Sequence, residues 1–281
     1  MIFPKRHTLA AALVLAFSLP ALSLADDKSD AYQFGKDGIE AAKAKQWDKA
    51  IDNFQKAVKA EPKEANHHNN LGLAYKGAGK MDEAVKAFTG AIEAEPDDAT
   101  GYINRGVIYT AQKKNKEAIE DLDKAIKLKS DSIPAYRFRA FVYLQMKEYK
   151  KAIEDYDVVL KEKDDAAIRD RRAFAYWNLK EYDKAIADYD QIIKDKPKDK
   201  EGYLDRSYVY ELKGDLEKGL TDVKKVLTMD PKNADAKARM ERFEYKLKVA
   251  NGTPTPTPRT RPRRTLPTET TPVPAPPKKK G

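Results

Sequence analysis

The sequence contains no cysteine. That excludes disulfides, thiolate metal sites and a cysteine nucleophile, and it removes cysteine usage as a guide to compartment. Histidine is almost as scarce, with three in 281 residues. His7 lies in the first apolar segment, and His67 and His68 are neighbours that point in different directions on a helix. No thiolate or spaced carboxylate completes a site around them, so neither a metal nor another cofactor is expected. Past residue 25 no apolar run approaches the roughly 20 residues that cross a bilayer as a helix. A phosphate-binding loop is also missing. Gly77-Ala78-Gly79-Lys80 has a lysine but lacks the first glycine at the required spacing, and Met81 stands where a Ser or Thr is needed. It reads as a turn. Carboxylates are plentiful but fall on charged helix faces, where their usual role is solubility. No residue set for catalysis emerges, and the chain has no room for a separate catalytic domain, so it is not expected to be an enzyme.

The chain does carry a strong N-terminal signal. Lys5 and Arg6 precede an apolar stretch, Leu9 to Leu19, and Ser23-Leu24-Ala25 offers small residues at the positions a signal peptidase reads. The pattern predicts a secretory signal peptide over residues 1–25, cleaved after Ala25, with an uncleaved anchor as the alternative. The apolar run is short for spanning and Pro20 interrupts it. The absence of cysteine at the cleavage site argues against a lipoprotein. Export places the mature chain in the periplasm or cell envelope, with residues 26–30 as a short linker.

Charge is placed unevenly. Overall there are 54 basic and 45 acidic residues. Residues 26–249 hold 45 basic and 44 acidic residues, whereas the tail from Ala250 holds seven basic and one, Glu269, acidic. The body is therefore nearly neutral, and its charge gives no reason to expect nucleic-acid binding. Nine of the 16 prolines fall after residue 250. Segments such as Thr253 to Arg264 have no apolar periodicity, and this tail is expected to be extended and without a core. It would either tether the protein to an anionic envelope surface or simply solubilise it.

The body repeats itself. A shift of 34, 34, 34, 33 and 34 residues carries Ala50 onto Ala84, Ala118, Ala152, Ala185 and Gly219. Four residues after each stands Phe54, Phe88, Leu122, Tyr156, Tyr189 or Val223, and three further on Ala57, Ala91, Ala125, Val159, Ile192 or Val226. Within Ala65 to Asp98 the period resolves into two short amphipathic helices. Leu71, Gly72 and Tyr75 share one face of the first. A break follows at Gly77 and Gly79, and Asp82 is placed to cap the second. Helices this short are marginal alone, so each must bury its stripe on a neighbour. A fixed period of this length signifies stacked helical hairpins.

These positions identify a resemblance. The chain resembles tetratricopeptide repeat (TPR) proteins over roughly residues 31–249, in units at 31–64, 65–98, 99–132, 133–165, 166–199 and 200–233. The eighth position is small throughout, at Gly38, Gly72, Gly106, Ala140, Ala173 and Ser207. The eleventh is Tyr75, Tyr109, Tyr143, Tyr176 or Tyr210, with Ala41 as the exception. The resemblance implies an all-α fold, a right-handed superhelical solenoid of six TPR hairpins. Residues 234–249 place Ala236, Met240, Phe243 and Leu247 on one face, as a helix that caps the exposed end of a repeat array does. The basic, Pro/Thr-rich tail over 250–281 follows.

One position departs from the family, which prefers leucine at the seventh. Arg105, Arg139, Arg172 and Arg206 occupy it in units three to six, and sixteen residues later stand Asp121, Asp155, Asp188 and Asp222. Units one and two lack both partners, with Asp37 and Asn53, then Leu71 and Ala87. Arginine and aspartate that come and go together predict structural ion pairs within a hairpin or between neighbours, because the guanidinium fork engages a carboxylate at two points. The alternative is a row of ligand-binding arginines.

The resemblance places function on the concave face, lined by the first helix of each unit. The sixth position there is Lys36, Asn70, Asn104, Phe138, Arg171 and Asp205. Asparagine both donates and accepts, so it suits the backbone of an extended peptide. Asn70 and Asn104, with Asn66 and Asn69 adjacent, form a short candidate ladder. Arg137, Phe138, Phe141, Arg171 and Trp177 form a candidate aromatic and basic patch, unless Phe141 and Trp177 merely pack between helices. The carboxylate clamp of chaperone-binding members is not reproduced, since only a middle asparagine survives in either register. The expected function is a non-catalytic scaffold or adaptor in the cell envelope that binds extended segments of other proteins. A spacer tethered through its tail and a regulatory subunit docking on an enzyme are the alternatives.

Overall fold

The computed structural model describes residues 21–252, with side chains from residue 28 onward. Most of the expected signal peptide, residues 1–20, and of the tail, 253–281, therefore lie outside the described residues. Thirteen helices and no strand occur among the described residues. They are α1 (Ala21–Lys43), α2 (Trp47–Ala60), α3 (Ala65–Gly77), α4 (Met81–Ala94), α5 (Ala99–Ala111) and α6 (Asn115–Leu128). Then follow α7 (Ile133–Gln145), α8 (Tyr149–Glu162), α9 (Ala166–Asn178), α10 (Tyr182–Asp195), α11 (Lys200–Lys213), α12 (Leu216–Met229) and α13 (Ala234–Ala250). No described helix is long and apolar enough to cross a membrane. The expected linker at 26–30 is helical and forms part of α1.

Each odd-numbered helix from α1 to α11 packs antiparallel on the even-numbered helix after it, and each pair stacks on the next, with α13 packing on α12. The small eighth position makes the close approach possible. A Cβ added at Gly72 would lie 2.5 Å from the Phe88 ring, so a ring at the 24th position seats against bare backbone at the eighth. Tyr156, Tyr189 and Phe88 are among the largest fully buried side chains, and burial of the Phe88 ring alone stabilises the array by roughly 1.5–3 kcal/mol.

The hairpin turns are closed by backbone rather than by side chains. Lys45, Gly79, Lys113, Lys147, Lys180 and Gly214 take positive φ. After each, a backbone N–H returns to a carbonyl five residues back, as Lys80 N does to Tyr75 O at 2.9 Å and Lys114 N to Tyr109 O at 2.9 Å. This is a Schellman closure. Asp82 consequently does not cap α4. Lys80 occupies the cap position without a side-chain bond, and Asp82 lies in the first turn, accepting from Gln112 Nε2. The odd-numbered helices after the first are capped in the ordinary way, by Glu64, Asp98, Asp165, Asp199 and Asn233, with Ser132–Pro134 as the exception.

α13 closes the C-terminal end. Phe243 is fully buried, and a Cβ at Gly219 would lie 2.5 Å from its ring. The alanine of the five preceding units is thus missing where the capping helix needs the space. Arg242 and Lys246 bracket Glu211 of α11 at 2.8 Å, and Arg239 donates to Leu204 O. Burial pushes the Glu211 carboxyl up, but the two cations outweigh it and hold it below the usual glutamate range.

Candidate functional site

Two side-chain systems organise the array, the first of them over units three to six. The first is ionic. Arg105, Arg139, Arg172 and Arg206 each direct Nε and Nη2 at both oxygens of Asp121, Asp155, Asp188 and Asp222 in the same hairpin, at 2.5–2.9 Å. Nη1 of the same arginine crosses to the preceding hairpin. It meets Asp123, Asp157 or Asp190 at 2.5–2.7 Å, and Thr89 at 3.0 Å in the case of Arg105. Each arginine therefore joins two hairpins. Its outer partners are exposed and its inner partners buried: the side chain of Asp123 is 51% exposed, that of Asp155 6%. The guanidinium also covers tyrosine rings, with Arg139 5.4 Å from Tyr136 and 5.9 Å from Tyr143. The aspartates hold the Arg139, Arg172 and Arg206 guanidinium groups above the usual arginine range against their own burial. Burial pushes the Asp155 and Asp222 carboxyls up despite these partners.

The second system is the inner face. Odd-numbered helices also touch the next odd-numbered helix, α1 to α3, α3 to α5 and α5 to α7, and no two even-numbered helices pack to that extent. The odd layer is the inside of the curve. Its crowding decides which candidate residues remain accessible. Asn104 and Asn69 are 3% and 2% exposed, and Asn104 Nδ2 donates to Asn69 Oδ1 at 3.3 Å, from α5 to α3. They bond each other across the helix boundary and are withdrawn from the groove. Asn66 is exposed but donates its side-chain amide to Glu64 at 2.6 Å. Asn70 is half-buried, more accessible than Asn69 and Asn104.

The aromatic and basic patch is likewise internal for the most part. Phe138, Phe141, Arg171 and Trp177 are buried. Trp177 stands edge-on to Phe174 at 5.0 Å and to Tyr208 of the next hairpin at 5.1 Å. The Arg171 guanidinium lies 5.8 Å from the Phe141 ring, and that of half-buried Arg137 4.7 Å from the Phe138 ring. No group of three or more metal-ligating side chains occurs among the described residues.

Sequence profiles described as "Tetratricopeptide repeat" match residues 72–133 and 171–234, and one described as "TPR repeat" matches residues 42–79. Together these cover more than half of the chain. The chain belongs to the tetratricopeptide repeat family. No curated protein matches it in sequence. Several solved TPR structures share its fold. One from Parabacteroides merdae has a TM-score of 0.61 at 21% identity, covering 80% of this chain and 88% of that one. Pseudomonas aeruginosa pilF has a TM-score of 0.62 at 17% identity over 79% of this chain and 99% of its own. YrrB, described as a TPR protein with an unusual peptide-binding site, gives 0.59 at 19% identity over 65% and 95%. The TPR fold is in general a non-catalytic scaffold for protein–protein interaction.

Seen as a TPR array, the chain has further candidate positions that no sequence motif singles out. The second aspartates, Asp123, Asp157 and Asp190, recur as an Asp-x-Asp with the repeat, a spacing that does not by itself reveal the partner in the next hairpin. On the inner face Tyr32, Ile39 and Lys43 of α1 and Lys76 of α3 are open or half-open, and no motif marks them.

Proposed function

We propose that this TPR protein is an exported, non-catalytic scaffold that holds segments of partner proteins against its inner face. The observation that carries the reading is the contrast between the two side-chain systems. The arginines of the ladder are consumed by aspartates, whereas α1 leaves Tyr32, Lys36, Ile39 and Lys43 exposed and the neighbouring α3 leaves Asn70, Leu73 and Lys76 half-buried. The fold shared with a TPR protein named for its peptide-binding site supports the same reading. Export rests on the basic and apolar start of the chain and the small residues before Asp26, and places the scaffold in the cell envelope.

The test is site-specific photo-cross-linking in cells, with a photoreactive residue at Asn70 on the inner face or at Glu154, exposed on α8. Discrete protein adducts from position 70 and none from 154 are expected. Equal adducts from both positions, or none from 70, would refute the reading. Deleting residues 251–281 should leave the adducts in place. If it abolishes them, the tail does the recruiting and the solenoid acts as a spacer.

A further inference from the structure

The inner face is not electrically uniform. Toward the C-terminal end charges of both signs alternate, with Arg137, Asp170, Arg171, Asp205 and Glu211 on α7, α9 and α11. Several are engaged within the fold: Asp170 accepts from Tyr189 Oη, and Glu211 is held by α13. The N-terminal end differs.

Along α1, Tyr32, Lys36, Ile39 and Lys43 follow at i, i+4, i+7 and i+11, which places them on one stripe of the helix. All four are exposed, and Tyr32, at 73%, is the most exposed large hydrophobic side chain among the described residues; Ile39 is at 42%. Beside them α3 presents half-buried Asn70, Lys76 and Leu73, the last with one side packed on Ala84, Phe88 and Ile108. Apolar side chains and ammonium groups thus alternate over two adjacent helices. Lys36, Lys43 and Lys76 enter no ion pair among the described residues, so their ammonium groups are available to a ligand. Of the acids on α1, Asp37 accepts from Gln33, and exposed Glu40, four residues after Lys36 and three before Lys43, makes no ion pair with either. Lys76 is the most constrained of the three. Burial pulls its ammonium below the usual lysine range with no anion to offset the cost.

We propose that this end of the groove takes an acidic segment of a partner protein with interspersed apolar side chains. Its carboxylates meet Lys36, Lys43 and Lys76 while its apolar groups cover Tyr32, Ile39 and Leu73. The inference rests on the inner face being the binding surface, and it adds the chemistry of the ligand. Charge complementarity selects the occupant, and it excludes the chain's own tail, whose seven basic residues against one acidic would be repelled. Part of the dehydration of Lys76 is already met in the free protein, so a carboxylate gains more from pairing there than with a fully solvated lysine.

The test is fluorescence anisotropy on the full chain with three end-blocked 12-residue probes of equal leucine content, carrying four Glu, four Gln or four Lys. By the usual effect of charge complementarity the Glu probe should bind about tenfold tighter than the Gln probe at low salt, with the gap closing as salt rises. Lys36→Glu/Lys43→Glu, both at exposed positions, should abolish that preference and favour the Lys probe. Tyr32→Ala/Ile39→Ala should weaken all three probes. Equal binding of Glu and Gln probes, or an unchanged Glu probe after charge reversal, overturns the proposal. Displacement by inorganic phosphate with no effect of Tyr32→Ala/Ile39→Ala also overturns it, because the site would then be a general anion site. If Asn70 cross-links a partner in cells while no acid preference is seen, the acidic ligand is refuted and the groove reading stands. If Asn70 cross-links nothing, the groove reading itself has failed.

Discussion

Removing the Arg139 side chain tests the ionic ladder most directly. In Arg139→Met the buried Asp155 carboxylate loses both of its bonds, at 2.7 and 2.8 Å. Stranding a buried charge in this way costs about 3–5 kcal/mol. The bond to Asp123 adds little, because that aspartate is half exposed and such a pair contributes less than about 1 kcal/mol. A net loss of about 3–5 kcal/mol follows, and for an array of this length each kcal/mol lowers Tm by roughly 2–4 °C. The single variant should therefore melt about 6–20 °C below the wild type. Arg139→Met/Asp155→Leu removes the stranded charge and should return to within about 1 kcal/mol of the wild type, since a well-packed apolar pair replaces a buried ion pair at little cost. The pH dependence supplies an independent check. Burial already holds the Asp155 carboxyl above its ordinary range with Arg139 beside it, and losing the arginine removes what lowers it; the variant's loss should therefore be greatest at neutral pH and shrink as pH falls through the raised value and the carboxyl takes up a proton. Urea unfolding followed by circular dichroism at pH 7 and pH 5, with amide exchange of α7 and α8, reads all of this. Equal midpoints for the single and double variants would refute the reasoning.

Gly219→Ala should destabilise the capping end by about 1–3 kcal/mol through collision with the Phe243 ring, and adding Phe243→Leu should recover most of the loss; thermal melts of the three variants decide it. Glu211 is held below its ordinary value of 4.5, so its contribution is complete above pH 4.5 and is lost as pH falls through the depressed value. Glu211→Gln should therefore lower the urea midpoint at pH 7 and flatten its decline toward pH 3, and an unchanged midpoint at pH 7 would mean that α13 docks without this contact.

What was legible in the sequence was what depends on local spacing. The period, the small eighth position and the tyrosines recur because each hairpin solves the same packing problem. The matched arginines and aspartates were legible because both members of the pair change together between units two and three. The bond to the preceding hairpin escaped notice because Asp123 resembles any solvated helix aspartate until the neighbouring unit is placed beside it. Asp82 was misjudged as a cap because a Schellman closure at Gly79 supplies the turn from backbone alone. The burial of Asn104, Phe138 and Trp177 follows from how tightly the odd-numbered helices curve together, a property of the stacked array that no single repeat encodes. The same curvature leaves α1, with no described hairpin before it, as the open part of the face.

The double reach of each ladder arginine also gives units three to six the logic of interchangeable parts. Each of units four to six presents an arginine that fits the aspartate left by the unit before it, and each of units three to five leaves an aspartate for the unit after. The series stops cleanly where Lys224 replaces the second aspartate and Met240 stands in place of a further arginine. A whole repeat inserted or lost between Asp123 and Arg206 would bring matching ends with it. The array can therefore change length by duplication or deletion without evolving a new interface, while the inner face near α1, which lies outside this series, keeps its own surface unaltered.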